Sequence, residues 1–274
     1  MRIVVLFVFI IALVADANAQ TQSPIRKAKA PRYGSYFSIN LLAGVPMQEY
    51  RLATNSLPFG MNLSYVYQPS VKVPLGIGVN FNCLSVGSKT VDRALTADIT
   101  ANGILLDQLY IPLEFQIHNN IIATHLDGRF IAPTNVVKPY VDGLLGFNYL
   151  WTSTAVYDRS DKGYFNADEN GLITRKTQID DFTYSVGAGT GVIIQIGRRS
   201  FINAGAHYLF SGIAQYYDRS QIKDWDIELN VSGVSQNAGQ NTFEPGDMTY
   251  SAVPKKSKTD MLMIQAGFTF NFAR

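Results

Sequence analysis

The segment 260–272 restricts the fold more than any other part of the chain. Leu262, Ile264, Ala266, Phe268, Phe270 and Phe272 take every second position, and Met263, Gln265, Gly267, Thr269 and Asn271 fall between them. A period of two belongs to a β-strand, whose side chains point alternately to the two sides of its sheet. Three Phe at successive positions of one face need a covering layer. Lipid can supply it, and the opposite face is rich in small and polar groups.

The same alternation recurs along the chain. Segment 34–43 sets Phe37, Ile39, Leu41 and Ala43 against Tyr36, Ser38 and Asn40, and 57–68 sets Phe59, Met61, Leu63, Tyr65 and Tyr67 against Gly60, Asn62, Ser64 and Gln68. Segments 74–86, 106–118, 138–152, 182–196 and the run ending at 211 repeat the pattern. Two short connections, 69–73 and 197–200, alternate with longer polar ones at 87–103, 153–181 and 212–258. Segment 119–137 is long for a turn and reads as holding either a small hairpin or a continuation of the strands; an extra hairpin there or in 212–258 would raise the strand count to ten. The expected fold is all-β: an eight-stranded antiparallel up-and-down transmembrane β-barrel, its long loops outside and its turns in the periplasm. Pro112 in the middle of 106–118 gives up a ladder hydrogen bond and should mark a bulge.

At the start of the chain Arg2 precedes an apolar run, 3–15, and Ala17-Asn18-Ala19 offers small residues for a signal peptidase. Residues 1–19 read as a secretory signal peptide, because a spanning helix needs about 20 apolar residues. Gln20, not a Cys, is then the first mature residue, so no N-terminal lipid anchor is expected. Residues 20–33, with Arg26, Lys27, Lys29 and Arg32, form a basic periplasmic tail, solvated or near lipid headgroups, and the barrel takes 34–274. Tyr and Phe are abundant, charge is low and the mean hydropathy of +0.03 sits near zero, as for a wall half in lipid and half in water. A formal net charge of +2 carries no nucleic-acid footprint. Cys83, the single cysteine, shares a face with Leu75, Ile77, Val79 and Phe81 and reads as a small apolar residue facing lipid. A soluble lipocalin-like barrel would place charge on its outer face, and very few strand residues here are charged.

Eight strands enclose a space that side chains fill, so a general porin is disfavoured. Glu114 and Asp142 fall on the inner face, where an unpaired carboxylate is costly, and His207 faces the same interior. These three form an expected polar network of structural use, with Lys138, Arg198, Arg199 or the basic tail as counter-charges. An acyl-transfer centre would need His207 and Ser211 in contact, which a spacing of four along one strand prevents. No catalytic residue, metal site or cofactor is expected. His118 and His125 lack metal-ligand spacing; Asn166, Asp168, Asn170 and Gly171 resemble the start of a calcium loop, but Thr177 stands where a bidentate Glu is needed, so a polar turn is expected. Trp225, Ile227, Leu229 and Val231 alternate with polar residues as a strand projecting beyond the membrane, and with Tyr216 and Tyr217 they offer an outer rim for a protein or glycan.

The order Gln265, Gly267, Phe270, Phe272 resembles the C-terminal insertion signal of bacterial outer-membrane β-barrels, although Ala273 and Arg274 follow the last Phe. With the signal peptide and the repeated alternation, the whole mature chain resembles the outer membrane protein beta-barrel domain family, in the style of its PorT-like and OmpX-type barrels. That resemblance implies residence in the outer membrane of a Gram-negative-type bacterium, contact with its lipid and insertion by the barrel-assembly machinery. PorT-like membership would imply an accessory role in protein secretion, with a secretion-system protein as partner. Three roles follow: a structural or surface-interaction barrel working through its outer loops, a secretion accessory, or a lipid-modifying enzyme. The first is preferred.

Overall fold

A computed structural model describes residues 34–272 apart from 55, 71–72, 102–103, 135, 161–163, 166, 219–226, 238–239 and 252; for 96–109, 228, 231–242 and 250 it gives the backbone alone. The expected signal peptide and tail, 1–33, and Trp225 lie outside the described residues.

The alternating segments become strands β1 (Gly34–Pro46), β2 (Phe59–Gln68), β3 (Leu75–Ala101), β4 (Ile104–Ile131), β5 (Val137–Asp158), β6 (Leu172–Gln195), β7 (Ser200–Ser211), β8 (Ile213–Tyr216), β9 (Ile227–Asn237), β10 (Gln240–Tyr250), β11 (Lys255–Lys258) and β12 (Met261–Phe272), with one short helix, α1 (Gln48–Thr54), between β1 and β2. Eight of them close a ring in the order β1-β12-β7-β6-β5-β4-β3-β2, every neighbour antiparallel. The seam pairs β1 with β12 from Ser35↔Phe272 to Pro46↔Met261, so the terminal strand closes the barrel. β9 with β10 and β8 with β11 form two separate hairpin-like ladders.

The outward positions of the ring are apolar and uncovered: Ile77 is 75% exposed, Leu145 61% and Phe272 59%. Water would make such a belt costly, at roughly 25 cal/mol for each Å² of apolar surface, whereas lipid covers it. Among the described residues no helix is long and apolar enough to cross a membrane. The closed ring satisfies its backbone groups by itself, as a bilayer requires.

The strands are unequal. β2, β7 and β12 have 10, 12 and 12 residues, close to what crosses a bilayer at a tilt. β3, β4, β5 and β6 have 27, 28, 22 and 24. β2 stops pairing with β3 at Phe59↔Ser85 and β7 stops pairing with β6 at Ser211↔Ser185, while β3 and β4 remain paired to Ala101↔Ile104. Four strands therefore leave the barrel as a sheet, β3 alone running about 90 Å at roughly 3.3 Å per residue.

This extension corrects the expected boundaries. Segment 87–101 is strand, not loop, and so is the second half of 153–181; 119–131 continues the strand that begins before it and holds no hairpin. The membrane-crossing part of β4 lies near 121–131; segment 106–118 stands beyond the barrel. Its apolar face, Ile111, Leu113, Phe115 and Ile117, turns inward rather than to lipid and is 0–3% exposed. There it meets Val91, Val156, Phe165, Tyr217, Ile227, Leu229 and Met248, which form a second core outside the barrel. Hairpin β9–β10 thus covers the inner side of the extended sheet instead of adding strands to the ring. Pro112 makes no bulge in the β3–β4 ladder, where it sits opposite Ala94; it lies one residue past the last β4–β5 pair, Leu113↔Asp158, where β4 is an edge and a missing N–H costs little.

Candidate functional site in the barrel interior

The lumen is built in three layers. At the long-loop mouth Leu42, Leu84, Ile121, Leu144, Leu209 and Met263 point inward and pack under Tyr50 and Ala53 of α1 and Tyr216. At the short-turn mouth Tyr36, Ile131, Tyr140, Ile193 and Phe201 form a smaller apolar layer. Polar side chains fill the space between.

Arg129, 0% exposed, organises that middle layer. Its Nε donates to Asp142 Oδ1 at 2.7 Å and its Nη2 to Asp142 Oδ2 at 3.0 Å, a two-pronged pair, and Nη2 also donates to Asp127 Oδ2 at 3.1 Å. The guanidinium lies 4.3 Å from the centre of the Tyr140 ring. His207 Nε2 joins Asp142 Oδ2 at 2.8 Å. Removing charge from water is costly unless each group is paired and hydrogen-bonded, and this cluster meets both conditions for Asp142. Beside it His125 Nε2 bonds Ser185 Oγ at 3.0 Å, and Asn148 donates to Ser211 Oγ at 2.9 Å.

An amide chain crosses the wall of the lumen from the same cluster. Tyr140 Oη donates to Asn203 Oδ1 at 3.0 Å, Asn203 to Asn40 at 3.2 Å, Asn40 to Asn62 at 2.7 Å, and Asn62 to Asn80 at 2.6 Å and Asn82 at 2.8 Å. Asn carries both a donor and an acceptor, so a row of inward Asn on neighbouring strands can pass hydrogen bonds around a barrel without charge. Glycine makes the room. A Cβ on Gly189 would lie 2.0 Å from His207 Cδ2, and one on Gly191 would lie 2.4 Å from the Tyr140 ring.

The structure brings Asp142 and His207 together but puts Glu114 elsewhere. Glu114 stands on the outward face of the extension, where Gln116 Nε2 donates to it at 2.6 Å and Arg159 Nε at 2.7 Å; those hydrogen bonds, Arg159's first, hold its carboxyl below the usual range. Asp142 is paired by Arg129 and His207, not by Lys138, Arg198 or Arg199; the basic tail lies outside the described residues. The hydrogen bonds of His207 and Ser211 go to Asp142 and Asn148, not to each other. Arg129, Asp127 and His125 were missed because 119–137 read as a connection; carrying the alternation past His118 would have placed all three inward.

The remaining candidates are distributed as follows. Gln265 points inward and is 2% exposed; Phe270 and Phe272 face out, and a Cβ on Gly267 would lie 2.1 Å from the Ile39 carbonyl. Tyr216 and Tyr217 are buried, a correction to their expected place on an exposed rim: Tyr216 packs edge-on against Tyr50 at 5.0 Å and bonds Ser257 Oγ at 2.6 Å, and Tyr217 belongs to the second core. Asp168 Oδ1 accepts the N–H groups of Asn170 and Leu172 at 2.9 and 2.8 Å, with Gly171 at φ 81°, so its carboxylate ties a tight polar turn.

No protein-family model and no curated protein matches the sequence. Solved structures similar to it include Neisserial surface protein A from Neisseria, at 11% identity over 88% of this chain and 99% of that one, with a TM-score of 0.37. Ail, the attachment invasion locus protein of Yersinia pestis, has 13% identity over 87% and 99%, with a TM-score of 0.34. A major outer membrane protein from Thermus thermophilus has 14% identity over 88% and 100%, with a TM-score of 0.42. These likenesses are slight, and the chain's own ring and apolar belt carry the assignment: it is an integral β-barrel of the outer-membrane type.

Proposed function

We propose that this barrel is a surface-interaction protein whose working part is the sheet and hairpin beyond the membrane. One observation carries the reading: four of the eight strands continue past the bilayer and enclose a second apolar core, with Ile111, Phe115, Val156, Ile227 and Leu229 buried in it. A barrel that only needed closing at its mouth is already closed by the layer under α1. The additional core holds a rigid sheet away from the lipid, where a stable surface can meet a partner at little ordering cost. The interior serves stability: its ionic groups are enclosed between two apolar layers, far from any path for a solute.

The test compares intact cells carrying the full chain with cells in which 227–250 is replaced by a short Gly-Ser linker. Both proteins should show the heat-dependent gel shift of a closed barrel. Adherence of the cells to immobilised glycans and proteins should fall with the linker version. Equal adherence across the whole set would contradict the proposal.

A further inference from the structure

The two ends of the barrel differ in charge. Among the described residues, the short-end turns within 69–74, 132–136 and 196–199 contain Arg198 and Arg199 and no Asp or Glu, and Lys138 lies at the same end of β5. Among the described residues, every Asp and Glu apart from Asp127 and Asp142 falls in segments that leave the barrel at the other end. Arg198 and Arg199 are exposed, and neither has an ion-pair partner among the described residues.

Lys138 adds an internal charge to this rim. It is 3% exposed, yet its Nζ reaches only Tyr36 Oη, at 3.5 Å, and the faces of Tyr36 and Phe201, at 5.7 and 5.4 Å. No carboxylate pairs with it among the described residues. Aromatic faces attract a cation without neutralising it, so its field adds to that of the two arginines.

We infer that the short-turn rim binds the phosphate of an anionic phospholipid. Depth favours lipid over a soluble polyanion: Ile196, 56% exposed on the apolar belt, is two residues from Arg198 and three from Arg199, so both guanidinium groups stand where acyl chains give way to headgroups. A guanidinium fork suits phosphate geometry. The proposal concerns the opposite end from the extended sheet and stands whatever that sheet binds.

The full chain is reconstituted in vesicles of phosphatidylglycerol and phosphatidylethanolamine, extracted in mild detergent, and its retained lipid measured by mass spectrometry. Wild type should retain phosphatidylglycerol above its share in the vesicle. Replacing both arginines, Arg198→Gln and Arg199→Gln, should lower that excess by up to roughly fivefold per cation, and added salt should lower it in wild type. Both residues are exposed, so the variant should keep its gel shift; Lys138→Met supplies a further loss of enrichment. Retained lipid matching the vesicle composition, or enrichment unchanged in the double variant, overturns the proposal. So does arginine-dependent sedimentation with peptidoglycan sacculi without phosphatidylglycerol enrichment, because the rim would then hold a wall polymer.

Discussion

Arg129 and Asp142 should be the least replaceable polar residues of the barrel. Taking one partner from a buried, hydrogen-bonded ion pair typically costs about 3–5 kcal/mol, because the other is left charged and alone. Asp142→Asn keeps the shape, weakens two guanidinium bonds and the His207 bond, and should lower the temperature of the gel-shift transition markedly. Glu114→Gln should change it little, since exposed pairs such as Glu114 with Arg159 contribute about 0–1 kcal/mol. The sign with pH follows from the lowered Glu114 pKa: that pair helps above the ordinary carboxylate range and is lost as pH falls through the depressed value. Gly189→Ala tests the packing. With His207 Cδ2 only 2.0 Å from the added Cβ, the ring must leave Asp142, so this variant should be destabilised like Asp142→Asn, and a wild-type transition temperature would refute the close approach.

At the scale of one element, β4 shows why the fold was only partly legible. Its parity never breaks: Ile111, Leu113, Phe115 and Ile117 point the same way as His125, Asp127 and Arg129. What changes is the surroundings. Beyond the membrane the inward face meets a hairpin and is apolar; within it the inward face meets the lumen and is polar, and the outward face changes from Glu114 and Gln116 to Leu126 and Phe130. Alternation reveals that two faces differ, not which one is inside. The rule that apolar means lipid-facing worked for β1, β2, β7 and β12, which stay within the bilayer, and failed where β4 leaves it. The same slip removed Arg129 and Asp127 from view and put Glu114 on the inner face. Two substitutions separate the zones. Phe115→Ala should cost about 3–5 kcal/mol in the outer core, read as faster proteolysis of the extension while the barrel keeps its gel shift. Leu126→Arg should cost the barrel itself about 2–4 kcal/mol as a charge on the lipid face, read as a lowered transition temperature.

For the whole molecule, closure was legible in the terminal strand, because 260–272 needs a partner on both edges and finds β1 and β7. The extended sheet was not, since 87–103 carries too many polar residues to resemble a membrane strand and its pairing partner lies across a hairpin. A plugged lumen, an apolar belt, a basic rim at one end and a folded sheet at the other make a barrel whose two ends present different chemistry. The most direct measurement is spin-label accessibility along β4 in a Cys83→Ser background, with single labels at 113–118 and 124–130 in bilayers. Labels replacing Glu114 and Gln116 should be open to a water-soluble relaxant, those replacing Leu126 and Phe130 to oxygen in the lipid, and those replacing Leu113, Phe115 and Ile117 to neither. Lipid accessibility at 113, 115 and 117, with 126 and 130 open to water, would put segment 106–118 back in the membrane and contradict the account.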